Sequence, residues 1–230
     1  MKSTMNQNAL PANTRRRLCL VAAFTVCALG ADGVLAAPGQ RLTGAAAPQK
    51  ILVLGDSLSA EYGIARGTGW VALLQKKLAD RPLVSVVNAS ISGETTSGGA
   101  RRLGGLLSLH RPTHVVVELG ANDALRGLAL KATQANLQAM VDQCKASGAQ
   151  VLVVGMMLPP NFGQRYGQSF AAVFSDVAKA NKVALVPFML KGVADRPDAR
   201  DWFQADGLHP LAKAQPTILD NIWPALAALL

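Results

Sequence analysis

Five short apolar segments, each followed by a stretch with helical spacing, limit the folds open to this chain more than any other feature. The segments are rich in Val, Ile and Leu without alternating polar residues, which is typical of strands buried on both faces of a parallel sheet. The stretches between them have the spacing of helices that cover a sheet. Strands are predicted at residues 51–54, 84–87, 115–119, 151–154 and 183–186, and helices at 70–80, 97–110, 130–147, 165–181 and 212–229.

This alternation predicts one α/β domain in three α/β/α layers, built on a parallel sheet of about five strands. A length of 230 residues suits one such domain better than two. In sheets of this kind the reactive groups gather at the carboxyl ends of the strands. We therefore expect functional side chains directly after the apolar segments.

The N-terminus has the features of an export signal. Three arginines, Arg15 to Arg17, precede an apolar run that ends near Gly30, and small residues lead from there to Ala36. This order predicts a cleavable signal peptide over residues 1–36 and a periplasmic or secreted protein. The arginine pair leaves Sec and twin-arginine export both open.

The alternative to a cleaved signal is an anchor helix that stays in the membrane. Asp32 interrupts the apolar run well before the ~20 residues that a span requires, so we expect no stable span after cleavage. Residues 37–49 are predicted to be a flexible lead-in, and residues 50–230 to form the folded domain.

Charge and cysteine content limit the possible partners. The formal net charge is +9, and removing residues 1–36 takes away four basic residues and one acidic residue, leaving +6. The remaining basic residues are scattered and do not alternate with aromatic residues, which argues against nucleic-acid binding. Cys144 is the one cysteine left after cleavage, and its place in an apolar helical pattern predicts a small buried residue.

Ser57 is the first candidate for chemistry. It lies in the sequence GDSLS directly after the first predicted strand, where a hydroxyl would be exposed at the edge of the sheet. The amides of the following segment could point at charge that develops beside it. The alternative is that Asp56 or Ser57 only caps a helix. The Gly-x-Ser-x-Gly elbow of other hydrolases is absent from the sequence.

Two further strand ends carry groups that could stabilise an oxyanion. Gly93 follows the second strand, where glycine allows close approach of the backbone and could offer its N–H. Asn122 follows the third strand, and its side-chain amide could be another donor. Taken singly, the first could be an ordinary polar loop and the second a helix cap.

Asp206 and His209 form the candidate for a general base. An imidazole needs a fixed partner on one ring nitrogen so that the other can take the nucleophile's proton, and Asp206, folded back across Gly207, could be that partner. Pro210 is then expected to start the last helix. A metal site would need further ligands, so we expect none. His110 and His114 flank the start of the third strand and are predicted to be surface residues.

These motifs resemble the signature blocks of the SGNH (GDSL) hydrolases. GDSLS, the Gly93 loop, GAND and DGLHP correspond to the four blocks, and longer stretches such as ILVLGDSLSAEYG and VVNASISGETT are similar to the bacterial periplasmic thioesterase I, arylesterase and lysophospholipase subgroup. The resemblance covers about residues 50–228.

The resemblance implies a flavodoxin-like sheet and a hydrolase that needs no cofactor. It implies Ser57 as nucleophile and Asp206 and His209 as its partners in catalysis. It also implies an oxyanion hole made by the N–H groups of Ser57 and Gly93 and the side chain of Asn122. The expected substrates are small acyl esters and thioesters, namely aryl esters, acyl-CoA and lysophospholipids, cleaved through an acyl-enzyme by a monomer.

Two other functions remain open at this stage. A carbohydrate esterase would share the catalytic residues but prefer short acyl groups in a polar cleft. A lipid-binding module would keep the fold without turnover. An apolar segment after the fourth strand favours an acyl-chain groove over simple packing on the domain. Its expected lining residues are Met157, Leu158, Pro159 and Phe162.

Two positions depart from the pattern of the family. Ala121 stands where many relatives have Gly and should add a methyl group near the oxyanion hole. Glu61 stands where a small residue is frequent and should add a charge near the site entrance. Both bear on substrate preference.

Overall fold

A computed structural model describes residues 47–230. The predicted signal peptide, its cleavage site and all but the end of the predicted lead-in therefore lie outside the described residues. None of the helices formed by residues 47–230 has the length and apolar character needed to cross a membrane.

Five parallel strands form the centre of the domain, as the sequence predicts, and their order in the sheet is β2-β1-β3-β4-β5. Each strand lies within three residues of its predicted position. The strands are β1 (Gln49–Gly55), β2 (Val84–Asn88), β3 (His114–Glu118), β4 (Gln150–Val154) and β5 (Ala184–Val186).

The expectation that all strands are buried on both faces is right for three of them. The apolar residues of β1, β3 and β4 are almost fully buried, whereas β2 is half-exposed along its length. The reason is that β2 and β5 are the edges of the sheet, so each has a neighbour on one side.

Helices cover both faces of the sheet and complete the three layers. α1 packs against α6 on one face, while α2, α4 and α5 pack together on the other. The short α3 lies between β3 and α4 and is too short to be predicted from periodicity. The helices are α1 (Trp70–Lys77), α2 (Thr96–His110), α3 (Ala121–Leu125), α4 (Leu130–Ala146), α5 (Gln164–Asn181) and α6 (Gln215–Ala227).

The start of β3 differs from its prediction. His114 is buried, because its ring nitrogens face the Thr113 hydroxyl and the Leu229 carbonyl oxygen, each at 2.8 Å. The end of the chain therefore covers a histidine that sequence reasoning placed on the surface. Cys144 is buried as predicted, and burial raises the pKa of its thiol to about 12, which makes it a poor nucleophile.

The strand order creates a switch point between β1 and β3. The chain leaves β1 toward β2 on one side and later returns to β3 on the other. In open α/β sheets such a point forms a crevice outside the carboxyl ends of the strands. Ser57 follows β1 and Asn122 follows β3, so the crevice lies between two of the predicted site residues.

Candidate active site

Ser57 and His209 meet at this crevice although 152 positions separate them in the chain. The Ser57 hydroxyl oxygen lies 2.8 Å from Nε2 of His209. Ser57 occupies the turn directly after β1, where the sequence analysis placed it. Its hydroxyl is therefore positioned to pass a proton to the imidazole.

The Asp206–His209 turn folds back as predicted. Nδ1 of His209 lies 2.7 Å from Oδ2 of Asp206, and Oδ1 of Asp206 accepts hydrogen bonds from the backbone N–H groups of Leu208 and His209 at 2.9 and 3.0 Å. Gly207 has a φ of +67°, a left-handed conformation that glycine adopts without strain. One carboxylate thus holds both the backbone and the ring of the histidine.

These hydrogen bonds also decide the charge of Asp206. Its burial alone would raise the pKa, but the N–H groups of His209 and Leu208 and the imidazole outweigh that effect and lower the pKa to about 2. An ionised Asp206 accepts a hydrogen bond from Nδ1–H, so the proton of the neutral ring stays on Nδ1 and Nε2 can act as a base toward Ser57.

Pro210 does not start the last helix, contrary to prediction. It forms an antiparallel bridge with Phe203, and α6 begins at Gln215 after a short 3-10 turn. The bridge closes residues 203–210 into a hairpin-like turn. The position of His209 is therefore set by this turn and by Asp206 rather than by a helix N-terminus.

Ser59 occupies a different environment from Ser57. Its hydroxyl is buried, accepts a hydrogen bond from Nε1 of Trp70 at 3.0 Å and donates to Oε2 of Glu118 at 2.7 Å. The same Glu118 oxygen accepts the backbone N–H of Asp56 at 3.3 Å. Both hydrogen-bonding roles of Ser59 are thus occupied, and its side chain joins α1, β3 and the nucleophile turn.

Asp56, directly before Ser57 in the chain, is a buried carboxylate. Oδ1 accepts the backbone N–H of Leu58 and Oδ2 accepts Nδ2 of Asn122, both at 3.0 Å. Burial raises the pKa of Asp56 from 3.8 to about 6. The hydrogen bonds from Leu58 and Asn122 and the attraction of His209 lower this pKa, but by less than burial raises it. Burial and the Asp56 carboxylate raise the pKa of Glu118 well above its ordinary value, which favours its neutral form.

Asn122 lies inside α3 and does not cap it. The N-cap is Gly120, whose φ of +130° lies in the region that favours glycine. One N–H of the Asn122 side-chain amide donates a hydrogen bond to Oδ2 of Asp56, and the side chain lines the crevice. The second N–H of this amide is therefore available to a bound group, while the first fixes the amide's orientation.

The other two predicted oxyanion donors are backbone N–H groups. Among residues 47–230, the N–H groups of Ser57 and Gly93 have no hydrogen-bond acceptor. The loop that carries Gly93 is tied to the end of β1, because the N–H of Ile91 donates to the Gly55 carbonyl oxygen at 3.0 Å. Gly93 has a φ of +78°, and its carbonyl oxygen accepts Nη2 of Arg126 at 2.8 Å.

A cleft of about 650 Å³ opens beside Ser57 and His209. Its walls are mostly apolar and include Ala121, whose methyl group the sequence analysis expected here. Three of the four residues predicted to bind the acyl chain line it, and Phe162 does not. The lining residues from the segment after β4 are Met156, Met157, Leu158, Pro159 and Pro160.

The same segment also borders a second cavity of about 630 Å³ on the side of α5. Met157 is 52% exposed and lines both cavities. The segment is therefore a wall between two apolar spaces, and it does not simply pack on the domain. Phe162 is half-buried at the end of the 3-10 turn that follows this wall.

The charge of Glu61, expected near the site entrance, is carried by a carboxylate that is held within its own loop. The carboxylate accepts the backbone N–H of Gly67 at 2.9 Å and that of Gly69 at 2.8 Å. Glu61 itself has a φ of +59°, which is uncommon for a residue other than glycine. Its charge is used to close the loop between Glu61 and Gly69.

Sequence reasoning missed the polar network behind the nucleophile. Glu118 is 59 positions from Ser59 in the chain, and Ser59, Trp70 and Glu118 each fit their own local pattern. One signal was available: an acidic residue at the end of an otherwise apolar strand, as Glu118 is in β3, suggests a buried partner.

The fold and the site together define a hydrolase with a serine nucleophile on a flavodoxin-like sheet. Residues 53–215 match the GDSL-like Lipase/Acylhydrolase family. The chain belongs to this family, and the resemblance seen in its motifs is confirmed.

Curated relatives and solved structures agree with this assignment. Esterase TesA of Pseudomonas aeruginosa is 51% identical over 190 residues, which cover 82% of this chain and 93% of that protein. Thioesterase 1/protease 1/lysophospholipase L1 of Escherichia coli K12 is 44% identical over 176 residues, covering 76% and 82%. The crystal structure of the psychrotrophic esterase EstA from Pseudoalteromonas sp., inhibited by monoethylphosphonate, is 42% identical with a TM-score of 0.73, covering 78% of this chain and 97% of that one.

Proposed function

We propose that this chain is a serine esterase and thioesterase that cleaves acyl esters through an acyl-enzyme on Ser57. The observation that carries the proposal is the hydrogen-bonded series Ser57–His209–Asp206, with distances of 2.8 and 2.7 Å, at an apolar cleft. A serine, an imidazole and a carboxylate hydrogen-bonded in this order form a catalytic triad, in which the imidazole takes the serine proton and the carboxylate orients the imidazole.

The reaction uses each of these groups in turn. The Ser57 oxygen attacks the carbonyl carbon while its proton passes to Nε2 of His209. The carbonyl oxygen becomes negative and is met by the N–H groups of Ser57 and Gly93 and the amide of Asn122. The intermediate collapses, the alcohol or thiol leaves with the proton from His209, and Ser57 stays acylated. Water then attacks the acyl group with His209 as base and releases the acid.

The cleft supports an acyl chain as the preferred substituent. Its walls next to Ser57 are formed by Met157, Leu158 and Pro159, which offer apolar contact to a hydrocarbon chain. Arg200 lines the same cleft and can pair with an anionic group on the leaving side. Aryl esters, acyl-CoA and lysophospholipids suit a cleft with an apolar wall for the acyl chain and an arginine on the leaving-group side. The names esterase, thioesterase and lysophospholipase among the relatives point to the same substrates.

A panel of substrates tests the proposal. We expect turnover of p-nitrophenyl esters and of acyl-CoA thioesters, with kcat/KM increasing from acetyl to medium-chain acyl groups. Ser57→Ala should lower kcat for every substrate by a factor on the order of 10⁶. Activity confined to acetylated glycans would favour a carbohydrate esterase. Binding of fatty acid without any turnover would favour a lipid-binding module.

We also propose that the protein is exported and that the mature enzyme, which starts at Ala37 or Pro38, works as a monomer. The support is the arginine-rich start, the apolar run and the small residues before Ala36, and the fact that one chain supplies every residue of the proposed mechanism. N-terminal sequencing of protein from the periplasm checks the cleavage. A product that keeps Met1 and stays with the membrane would contradict it.

A further inference from the structure

The ring of Tyr62 lies against the ring of His209. Their centroids are 4.4 Å apart and the planes are inclined at 41°. Half of the Tyr62 side chain is exposed to solvent. A large aromatic residue at the surface is therefore held on the one imidazole that the proposed mechanism uses, and this contact is not explained by core packing.

The backbone around Tyr62 is built to hold it there. Glu61, the preceding residue, is in the left-handed region, with a φ of +59°. Such a conformation costs about 1–2 kcal/mol for a residue with a side chain, so the surroundings must compensate. The Glu61 carboxylate does so by accepting the N–H groups of Gly67 and Gly69, which closes the loop over residues 61–69.

Gln204 connects this loop to the histidine turn. Its side-chain Nε2 donates to the Tyr62 carbonyl oxygen, and its backbone N–H donates to the His209 carbonyl oxygen, both at 2.8 Å. A Cβ atom at Gly63 would overlap the Gln204 amide oxygen in this position, and Gly63 has a φ of +69°, so glycine allows this approach without strain. The two rings are thus placed by one shared residue.

We propose that Tyr62 is a positioning residue that acts through His209: its ring limits the orientation of the imidazole and stabilises the imidazolium that forms when Ser57 loses its proton. The inference rests on the proposed function. The face of an aromatic ring attracts a cation within about 6 Å of its centroid. Among residues 47–230, the charged groups that face the same site are Asp206, bonded to Nδ1, the buried Asp56, and Asp195 and Arg200 in the wall of the cleft.

The test compares the variants Tyr62→Leu and Tyr62→Phe, both made in the mature enzyme. Because the ring favours the protonated imidazole, Tyr62→Leu should lower kcat/KM about twofold to fivefold and move the acid limb of its pH profile down by about 0.4–0.7 pH unit. Tyr62→Phe keeps the ring and should match the wild type in both. Leu109→Ala removes an apolar side chain that is 75% exposed near the C-terminus of α2, and serves as the control.

A second comparison tests the role of the loop. Glu61→Gln keeps the shape of the side chain but weakens its bonds to Gly67 and Gly69, so it should move the pH midpoint in the same direction as Tyr62→Leu. In the double variant Glu61→Gln/Tyr62→Leu the two shifts should not add, since both act through one ring contact. Additive shifts would show that Glu61 does not act through Tyr62.

Three results would overturn the inference while leaving the proposed function intact. They are an unchanged pH midpoint in Tyr62→Leu, a midpoint that moves up, and a Tyr62→Phe variant as impaired as Tyr62→Leu, which would assign the effect to the hydroxyl. Thermal midpoints of all variants separate these results from loss of fold. Failure of the proposed function is a different result: wild-type enzyme that neither turns over esters nor reacts at Ser57 with a phosphonate.

Discussion

Two serines two positions apart in GDSLS have different surroundings, which fit different roles. Ser57 faces His209 in the cleft, whereas the Ser59 hydroxyl is buried between Trp70 and Glu118. The neighbouring Asp56 carboxylate accepts a hydrogen bond from the side-chain amide of Asn122. At the scale of single residues, the proposed site is a reactive hydroxyl supported by a buried polar network.

The first prediction concerns Asn122. Its free amide N–H should meet the developing oxyanion, so Asn122→Ala should lower kcat by about 10²–10³ with KM little changed. Because Asn122 lies inside α3 and not at its cap, the thermal midpoint should change little beyond the loss of one hydrogen bond to Asp56. Steady-state kinetics and thermal melting check the two quantities. Wild-type turnover in Asn122→Ala would remove Asn122 from the oxyanion hole.

Asn122→Asp is the more severe variant for a reason that only the structure reveals. The carboxylate would face the developing negative charge and would also lie beside Oδ2 of Asp56, which now accepts the amide at 3.0 Å. We therefore expect kcat at least as low as in Asn122→Ala and, in addition, a lower thermal midpoint above pH 6, where Asp56 is ionised.

The second prediction concerns Asp56 and pH. In the folded state burial raises its pKa from 3.8 to about 6, so the folded protein keeps a proton that the unfolded chain loses. The resulting stability is present below about pH 4 and is lost as pH rises through 6. Above that pH the ionised carboxylate destabilises the fold by up to about 3 kcal/mol, at about 1.36 kcal/mol per pKa unit.

Asp56→Asn should therefore stabilise the protein more at pH 8 than at pH 4, by about 2 kcal/mol of unfolding free energy. It should also lower kcat about 10–100-fold, since an amide NH2 group would replace one of the two carboxylate oxygens that accept the N–H groups of Leu58 and Asn122. Denaturant unfolding at the two pH values measures the difference. Equal changes at both would mean that Asp56 is not a buried charge in the folded state.

At the scale of elements, the central strands were predictable because continuous apolar runs identify them. The edge strand β2 is half-exposed, although its apolar residues predicted burial on both faces. The five residues of α3 are too few to show a helical periodicity. The position of Pro210 was misjudged because a proline starts a turn as readily as a helix. The Glu61 loop was unpredictable, because its acceptors and donors are set by backbone folding between Glu61 and Gly69.

The third prediction belongs to the wall between the two cavities. Leu158 is half-buried and lines the cleft, so Leu158→Ser should remove apolar contact for the acyl chain. We expect kcat/KM for p-nitrophenyl decanoate to fall about tenfold, which is the loss of about half of a leucine side chain's burial energy. The p-nitrophenyl acetate rate is the internal control and should stay near wild type. An equal loss for both esters would place the acyl chain elsewhere.

At the scale of the whole molecule, the parallel sheet converts four separated motifs into one site. Each motif follows a strand or precedes the last helix, and parallel strands bring their carboxyl ends to one edge. Motif order and strand position could therefore be predicted from the sequence, as could Ser57, Asp206 and His209 as neighbours. The buried network of Asp56 and Glu118 could not, because it depends on side-chain packing between β1 and β3.

Reaction of the mature enzyme with a fluorophosphonate, followed by peptide mass spectrometry, tests the central claim most directly. We predict one adduct per chain, on Ser57, which is absent in Ser57→Ala and retained in Ser59→Ala, since the Ser59 hydroxyl is buried. Labelling should slow at acidic pH, because His209 must be neutral to accept the proton. An adduct on Ser59, or a Ser57→Ala variant that keeps more than a few per cent of activity, would contradict the assignment of Ser57 as the nucleophile.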